Sequence, residues 1–294
     1  MLSESVSAHV IERATVDAHA PKDACRTDSY GVAAHAAQTE RVLWRSAKER
    51  RRTSRNGTVT PVLSPSSMQP RSPVTYFRPR RSGPEAVIED CVAAQIPALF
   101  KSRRQFSWTA GSIPLGAGMP DLVIVAYKPL ALALADADLS DAQILGYLRA
   151  VRSARLGTIA ERLRVPNRSM GRRLHRLVEA RALRVTADET FALTAVCRNV
   201  LPEIITIEVK VGNWRRAAEQ ARRNRIFSHR SFVALPSPVA ERVYREPALT
   251  RFGLGVLAAQ EDGSVSVKRR ATVGRPVVWT YYYQLASLLA RSQA

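Results

Sequence analysis

Two segments with strand character are separated in this chain by a stretch of quite different texture. The first, Asp121-Leu-Val-Ile-Val-Ala-Tyr127, is apolar throughout once past its aspartate, as suits a strand covered on both faces. The second, Ile204-Ile-Thr-Ile-Glu-Val-Lys210, alternates. Ile205, Ile207 and Val209 belong to one face, and Thr206, Glu208 and Lys210 to the other. Ahead of the first strand, Pro84 followed by Glu85 starts a helix, with Ile88, Val92, Ile96 and Leu99 at helical spacing. A strand over 104–110 and a Gly/Pro loop over 111–120 complete that half. Behind the second strand the pattern predicts a helix over 214–227 and a strand over 231–235. Two weaker strands over 253–258 and 264–268 follow, with a final helix over 281–291. Helix, strand, strand, interruption, strand, helix, strand is an α/β order in which an insert divides the sheet.

The insert, read as 139–195, has three helical patterns and a short hairpin. Ser140-Asp141 opens a helix through Ile144, Leu145 and Leu148, and 158–163 gives a second. After Val165-Pro166-Asn167 a third helix places Met170, Leu174, Leu177 and Arg181 on one stripe. Its other face carries Arg168, Ser169, Arg172, Arg173 and Arg176, and His175 beside them reads as a surface residue. Leu183 to Thr186 and Thr190 to Thr194 then pair across a turn. This order resembles winged helix-turn-helix domains, which implies a recognition helix whose arginines reach guanine edges or phosphates.

Charge points the same way. Forty-five Lys and Arg against twenty-five Asp and Glu leave a formal +20 over 294 residues, with an isoelectric point near 11.0. A field of that sign attracts polyanions, nucleic acid being the commonest. Residues 1–82 show no sustained period, include the run Lys48-Glu49-Arg50-Arg51-Arg52, and read as a disordered basic arm. The α/β core is then 83–138 and 196–294. Cys25, Cys91 and Cys197 are scattered and odd in number, arguing against a disulfide framework and for a reducing, cytoplasmic setting. The longest apolar run, Leu122 to Ala135, is broken by Lys128 and Pro129, so no membrane span is expected.

The chemistry concentrates on the alternating strand. Glu208 and Lys210 are same-face neighbours roughly 6–7 Å apart. A carboxylate can hold a hard divalent cation, and an ammonium can orient water or stabilise developing negative charge on a phosphate. One carboxylate is too few for a metal. Asp121, entering a buried strand from the loop Gly118-Met119-Pro120, is the natural second, because an aspartate there needs a partner or a metal to be tolerated.

Gly118-Met-Pro-Asp121, then Glu208-Val-Lys210, then a helix bearing Gln220-Ala221, together resemble the PD-(D/E)XK nuclease superfamily. The resemblance implies a restriction-endonuclease-like mixed sheet flanked by helices and a metal-dependent DNA endonuclease using Mg²⁺ or Mn²⁺. It further implies Asp121 and Glu208 as metal ligands, Lys210 as catalytic cation and Gln220 as support. Many members add a glutamate on the first helix, for which Glu85 fits best and Glu89 second. Arg215 and Arg216, with Arg222, Arg223 and Arg225, lie on the helix after the second strand, where some should face the substrate backbone. DNA is expected before RNA, and a homodimer is compatible with the sequence. The rival reading is a non-catalytic DNA-binding regulator on a nuclease-like scaffold.

Overall fold

The computed structural model describes residues 74–80, 82–100, 107–116 and 118–294. Their centre is a seven-stranded mixed sheet. Its strands in chain order are β1 (Val74–Tyr76), β2 (Ser107–Gly111), β3 (Leu122–Ala126), β7 (Glu203–Val209), β8 (Arg230–Pro236), β9 (Gly255–Ala259) and β10 (Val265–Arg269), which is also their order across the sheet. The pairs β2–β3, β3–β7 and β9–β10 are antiparallel, whereas β7–β8, β8–β9 and β1–β2 are parallel. Parallel pairs need crossovers. Helix α6 (Trp214–Asn224) supplies the first, and α7 (Ser237–Val243) with α8 (Pro247–Arg251) supplies the second. The segment between β3 and β7 holds a 3₁₀ turn (Pro129–Leu134), then α2 (Leu139–Val151), β4 (Ser153–Ala154), α3 (Leu156–Leu163), α4 (Asn167–Glu179), β5 (Leu183–Val185), β6 (Phe191–Leu193) and α5 (Ala195–Arg198). Strands β4, β6 and β5 form a separate antiparallel sheet in that order.

The alternation read in the sequence sorts the layers. Ile205, Ile207 and Val209 of β7, with Leu122 and Ile124 of β3, face α1 (Pro84–Leu99), whose Ile88, Val92 and Ile96 cover them. Val123 and Val125 face the opposite way, into a core shared with α2 and the C-terminal helix α9 (Trp279–Gln293). Full burial of each such aliphatic side chain contributes about 1.5–3 kcal/mol.

The insert does not keep a core to itself. Ile144, Leu145 and Leu148 of α2 join the same apolar cluster as Tyr281, Leu285 and Leu289 of α9. The two helices cross closely at Gly146, where a Cβ would sit 2.9 Å from the backbone nitrogen of Thr280. Tyr282 then clamps the junction below, accepting from the Leu201 amide at 2.7 Å and donating to its carbonyl at 3.1 Å.

Several expectations need correction. The basic arm was read through residue 82, but Val74–Tyr76 form an edge strand parallel to β2. Val74 is buried, and the Tyr76 ring lies across Gly111, where any Cβ would meet it at 2.3 Å. Three residues are too few to show a period, so the strand is invisible in the sequence. Residues 1–73 and 101–106 lie outside the described residues, so the arm and the start of the strand expected over 104–110 are undescribed. α9 begins two residues earlier than expected and α6 ends three earlier. Among the described residues no helix is long and apolar enough to cross a membrane.

Candidate active site

Register explains why the two carboxylates meet. β3 and β7 are antiparallel with Leu122 opposite Ile207. One step further along, Asp121 lies opposite Glu208. Directly opposed residues of an antiparallel pair share a face, with Cβ atoms about 4.5–5.5 Å apart, and like charges there repel. The two carboxyl groups are close enough for each to affect the other's charge. Glu208 is 1% exposed. Burial, then the neighbouring Asp121, pushes its carboxyl up to about 8. Burial also raises Asp121, against the pull of the Val209 amide and Lys210.

Each carboxylate is held on one side and open on the other. Asp121 Oδ2 accepts from the Val209 amide at 2.7 Å. Glu208 Oε1 accepts from Asn224 Nδ2 at 2.6 Å, while its buried Oε2 has no donor among the described residues. Lys210 Nζ donates to the Val209 carbonyl at 2.7 Å and to Glu85 Oε2 at 3.1 Å, and lies 3.8 Å from Asp121 Oδ2. The structure therefore gathers four of the expected site residues: Asp121, Glu208, Lys210 and Glu85. Glu89, the second choice on α1, turns instead to the edge strand, accepting from the Tyr76 hydroxyl at 2.7 Å with Arg80 nearby.

Gln220 stands on the adjacent helix, with its Oε1 buried and without a donor among the described residues. One turn later Asn224 is the residue that touches Glu208, and the sequence reading missed it. The missed signal is the i, i+4 spacing of Gln220 and Asn224, which puts both on the helix face that bears Ala217 and Ala221. Beneath them Thr206 Oγ1 donates to Ser231 Oγ at 2.9 Å, and Ser231 Oγ donates to the Ala221 carbonyl at 2.8 Å, fixing α6 to the sheet.

Two oxygen-bearing carboxylates on one side of an ammonium suit a hard divalent ion. The fit rests on the Glu208 Oε2 that has no donor among the described residues and on the apposition of Glu208 and Asp121, which Lys210 offsets only in part and a cation would offset further. Among the described residues no group of three His, Cys, Asp or Glu side chains forms a ready metal cluster. Asp121 and Glu208 would hold the ion, with water or substrate oxygens completing its shell.

The arginines divide differently from expectation. Arg168 and Arg172 are exposed on α4 and Ser169 is half-buried there. Arg173, half-buried, and Arg176, still exposed, are both tied to the acidic start of α2. Arg173 Nη1 reaches Asp138 Oδ1 at 2.8 Å and Asp141 Oδ1 at 3.0 Å, and Arg176 pairs with Asp141 Oδ2. Both are expected on the solvent face; Arg176 is exposed there, whereas Arg173 is half-buried against Asp138 and Asp141. His175 is at the surface, 3.2 Å from Glu179. On α6, Arg215 and Arg216 are exposed in the first turn, and Arg215 lies over the Trp214 ring. Arg222 and Arg223 pair with Glu219, and Arg225 holds the carbonyls of Gly253 and Thr272. Comparison with protein-family models, curated proteins and solved structures finds no match to this chain.

Proposed function

We propose that the chain is a metal-dependent DNA endonuclease of the PD-(D/E)XK kind, hydrolysing phosphodiester bonds at Asp121, Glu208 and Lys210. The observation that carries this reading is the cross-strand pair Asp121–Glu208 with Lys210 beside it and one buried carboxylate oxygen lacking a donor. So costly an arrangement of like charges is the mark of a functional rather than a scaffolding site.

A bound Mg²⁺ or Mn²⁺ supplies Lewis-acid polarisation of the phosphodiester and lowers the pKa of the attacking water. Lys210, steered by Glu85 and the Val209 carbonyl, is positioned to donate to a phosphate oxygen as negative charge develops. Asp121 cannot swing away, because the Val209 amide holds its Oδ2. Gln220 offers a carbonyl oxygen, without a donor among the described residues, that can accept a hydrogen bond from the attacking water. We read 139–195 as a winged helix-turn-helix insert, supported by three helices followed by a hairpin that pairs with β4 in a three-stranded sheet. Arg168 and Arg172 on its exposed face, with Arg215 and Arg216 on the helix following Lys210, then engage the DNA backbone.

Supercoiled plasmid incubated with the protein tests this, with and without Mg²⁺ and beside Lys210→Ala. Wild type should nick or linearise it only with the metal, and the variant should not. Wild type that binds the plasmid but leaves it intact in Mg²⁺ and Mn²⁺ would favour the non-catalytic regulator. Cleavage by Lys210→Ala at the wild-type rate would place the chemistry elsewhere.

A further inference from the structure

Glu208 sits at the end of β7 with its side chain toward α6. A glutamate has three rotatable side-chain bonds, and the repulsion of Asp121 gives this one reason to turn away. One polar contact within the fold opposes that. Asn224, itself 2% exposed, donates Nδ2 to Glu208 Oε1 at 2.6 Å. A hydrogen bond to an ionised acceptor is about twice as strong as a neutral one. The other end of the same amide lies toward the loop that delivers Asp121, since a Cβ built on Gly118 would be 3.5 Å from Asn224 Oδ1. The backbone of Asn224 is anchored in turn, its carbonyl accepting from the amides of Phe227 at 3.2 Å and Ser228 at 3.1 Å.

From this geometry we infer that Asn224 is a positioning residue for the proposed metal site, fixing Glu208 through Oε1 so that Oε2 is presented beside Asp121. The inference rests on the metal-dependent reading above. Asn224 touches neither substrate nor ion; it acts through Glu208. Losing it frees the Glu208 side chain, and the cation must then pay the ordering cost that the amide had already met. Three neighbouring features carry no such role. Gln220 makes no hydrogen bond through Oε1 among the described residues, the Thr206–Ser231 pair lies below the site, and the Glu219–Arg222 pair is on the exposed side of α6.

The test is direct Mn²⁺ binding, by calorimetry, to wild type, Asn224→Leu and Ser231→Ala. The last removes a buried hydrogen bond from the same helix–sheet junction without touching the site. Asn224→Leu should bind Mn²⁺ about 10- to 100-fold more weakly, the usual cost of removing a partner that orients a ligand. Ser231→Ala should keep wild-type affinity even where its melting temperature falls. Plasmid cleavage by Asn224→Leu should recover at high Mn²⁺, raising the metal concentration for half-maximal rate while leaving kcat near wild type. Affinity within twofold of wild type in Asn224→Leu overturns the inference. If Asn224→Leu does not fold, Asn224→Ser, too short to reach Glu208, is judged by the same criterion. Failure of both to fold while Ser231→Ala folds assigns Asn224 to the scaffold and overturns it too. A wild type that binds no Mn²⁺ is a separate failure, that of the metal-dependent reading.

Discussion

Two acidic clusters in this molecule each centre on one buried carboxylate, Asp141 or Glu208, and reach opposite electrostatic ends. At the start of α2, Asp138 and Asp141 cap the helix reciprocally, each accepting the other's backbone amide at 3.0 Å. Arg173 and Arg176 of α4 supply the remaining donors. Burial would raise Asp138, but the Asp141 amide and Arg173 overcome it, and its carboxyl lies below the ordinary value. At the end of β7, Glu208 is as buried as Asp141, yet one of its oxygens has no donor among the described residues and the neighbour that most raises its carboxyl is another carboxylate, Asp121. The first cluster is neutralised from within and ties two helices together. The second is offset only in part, by Lys210 beside Asp121, and on the proposed reading a metal ion would meet the remaining oxygen.

Removing carboxylates should separate the two clusters most sharply in activity. Asp121→Ala or Glu208→Ala should abolish plasmid cleavage, and Lys210→Ala should lower it by roughly 10²–10³-fold, as for loss of one donor to developing charge. DNA affinity measured by gel shift without metal should hold or rise in the carboxylate variants, because negative charge facing a polyanion has been removed. Normal cutting by either carboxylate variant would break the comparison.

Stability should move the other way. Asp141→Ala leaves Arg176 and the Asp138 amide without their acceptor, and Arg173 with Asp138 alone. Because both guanidiniums keep some contact with water, the cost should be about 2–3 kcal/mol in urea unfolding, at or below the low end for a broken buried pair. A change under about 0.5 kcal/mol, the range of ordinary surface substitutions, would show that the arginines find water at no loss.

Glu208→Gln should instead stabilise the metal-free protein, and in a pH-dependent way. The folded-state carboxyl is raised from 4.5 to about 8. Below about pH 4.5 the group is protonated whether folded or unfolded, so wild type and variant should be nearly equal. Between there and about pH 8 the folded state must hold a proton the unfolded chain releases, so wild-type stability falls as pH rises. Above about 8 the gap should level off on the order of 1–3 kcal/mol in favour of Glu208→Gln. Unfolding in EDTA across this range would show it, and a gap independent of pH would mean that Glu208 is not strained by its charge.

The smallest effect belongs to the arginines of α4. Arg172→Ala should leave the melting temperature unchanged and reduce the salt slope of DNA binding by about one unit if it meets a phosphate. Arg173→Ala should destabilise the fold with little change in slope, since its guanidinium is already held by Asp138 and Asp141. Equal slopes and equal stabilities in the two variants would erase the division between them.

What the sequence determined by itself was local order and facing. The alternation of 204–210 placed Glu208 opposite Ile207, the apolar run after Asp121 marked a central strand, and the stripe of Met170, Leu174 and Leu177 found the buried side of α4. These are legible because one element's period records which of its own faces leaves water. Tertiary structure decided which polar group each face would meet. Nothing in the period of α4 announces that Arg173 and Arg176 will be captured by Asp138 and Asp141, residues on a different helix. Asn224 reads as one more polar position on a basic helix until the β7–α6–β8 crossover sets it against Glu208. Val74–Tyr76 is too short to carry a pattern and becomes a strand only because β2 offers it an edge. Periodicity is a property of one segment, whereas a hydrogen-bond or ion-pair partner is a property of two, and only the packed fold brings the second within reach.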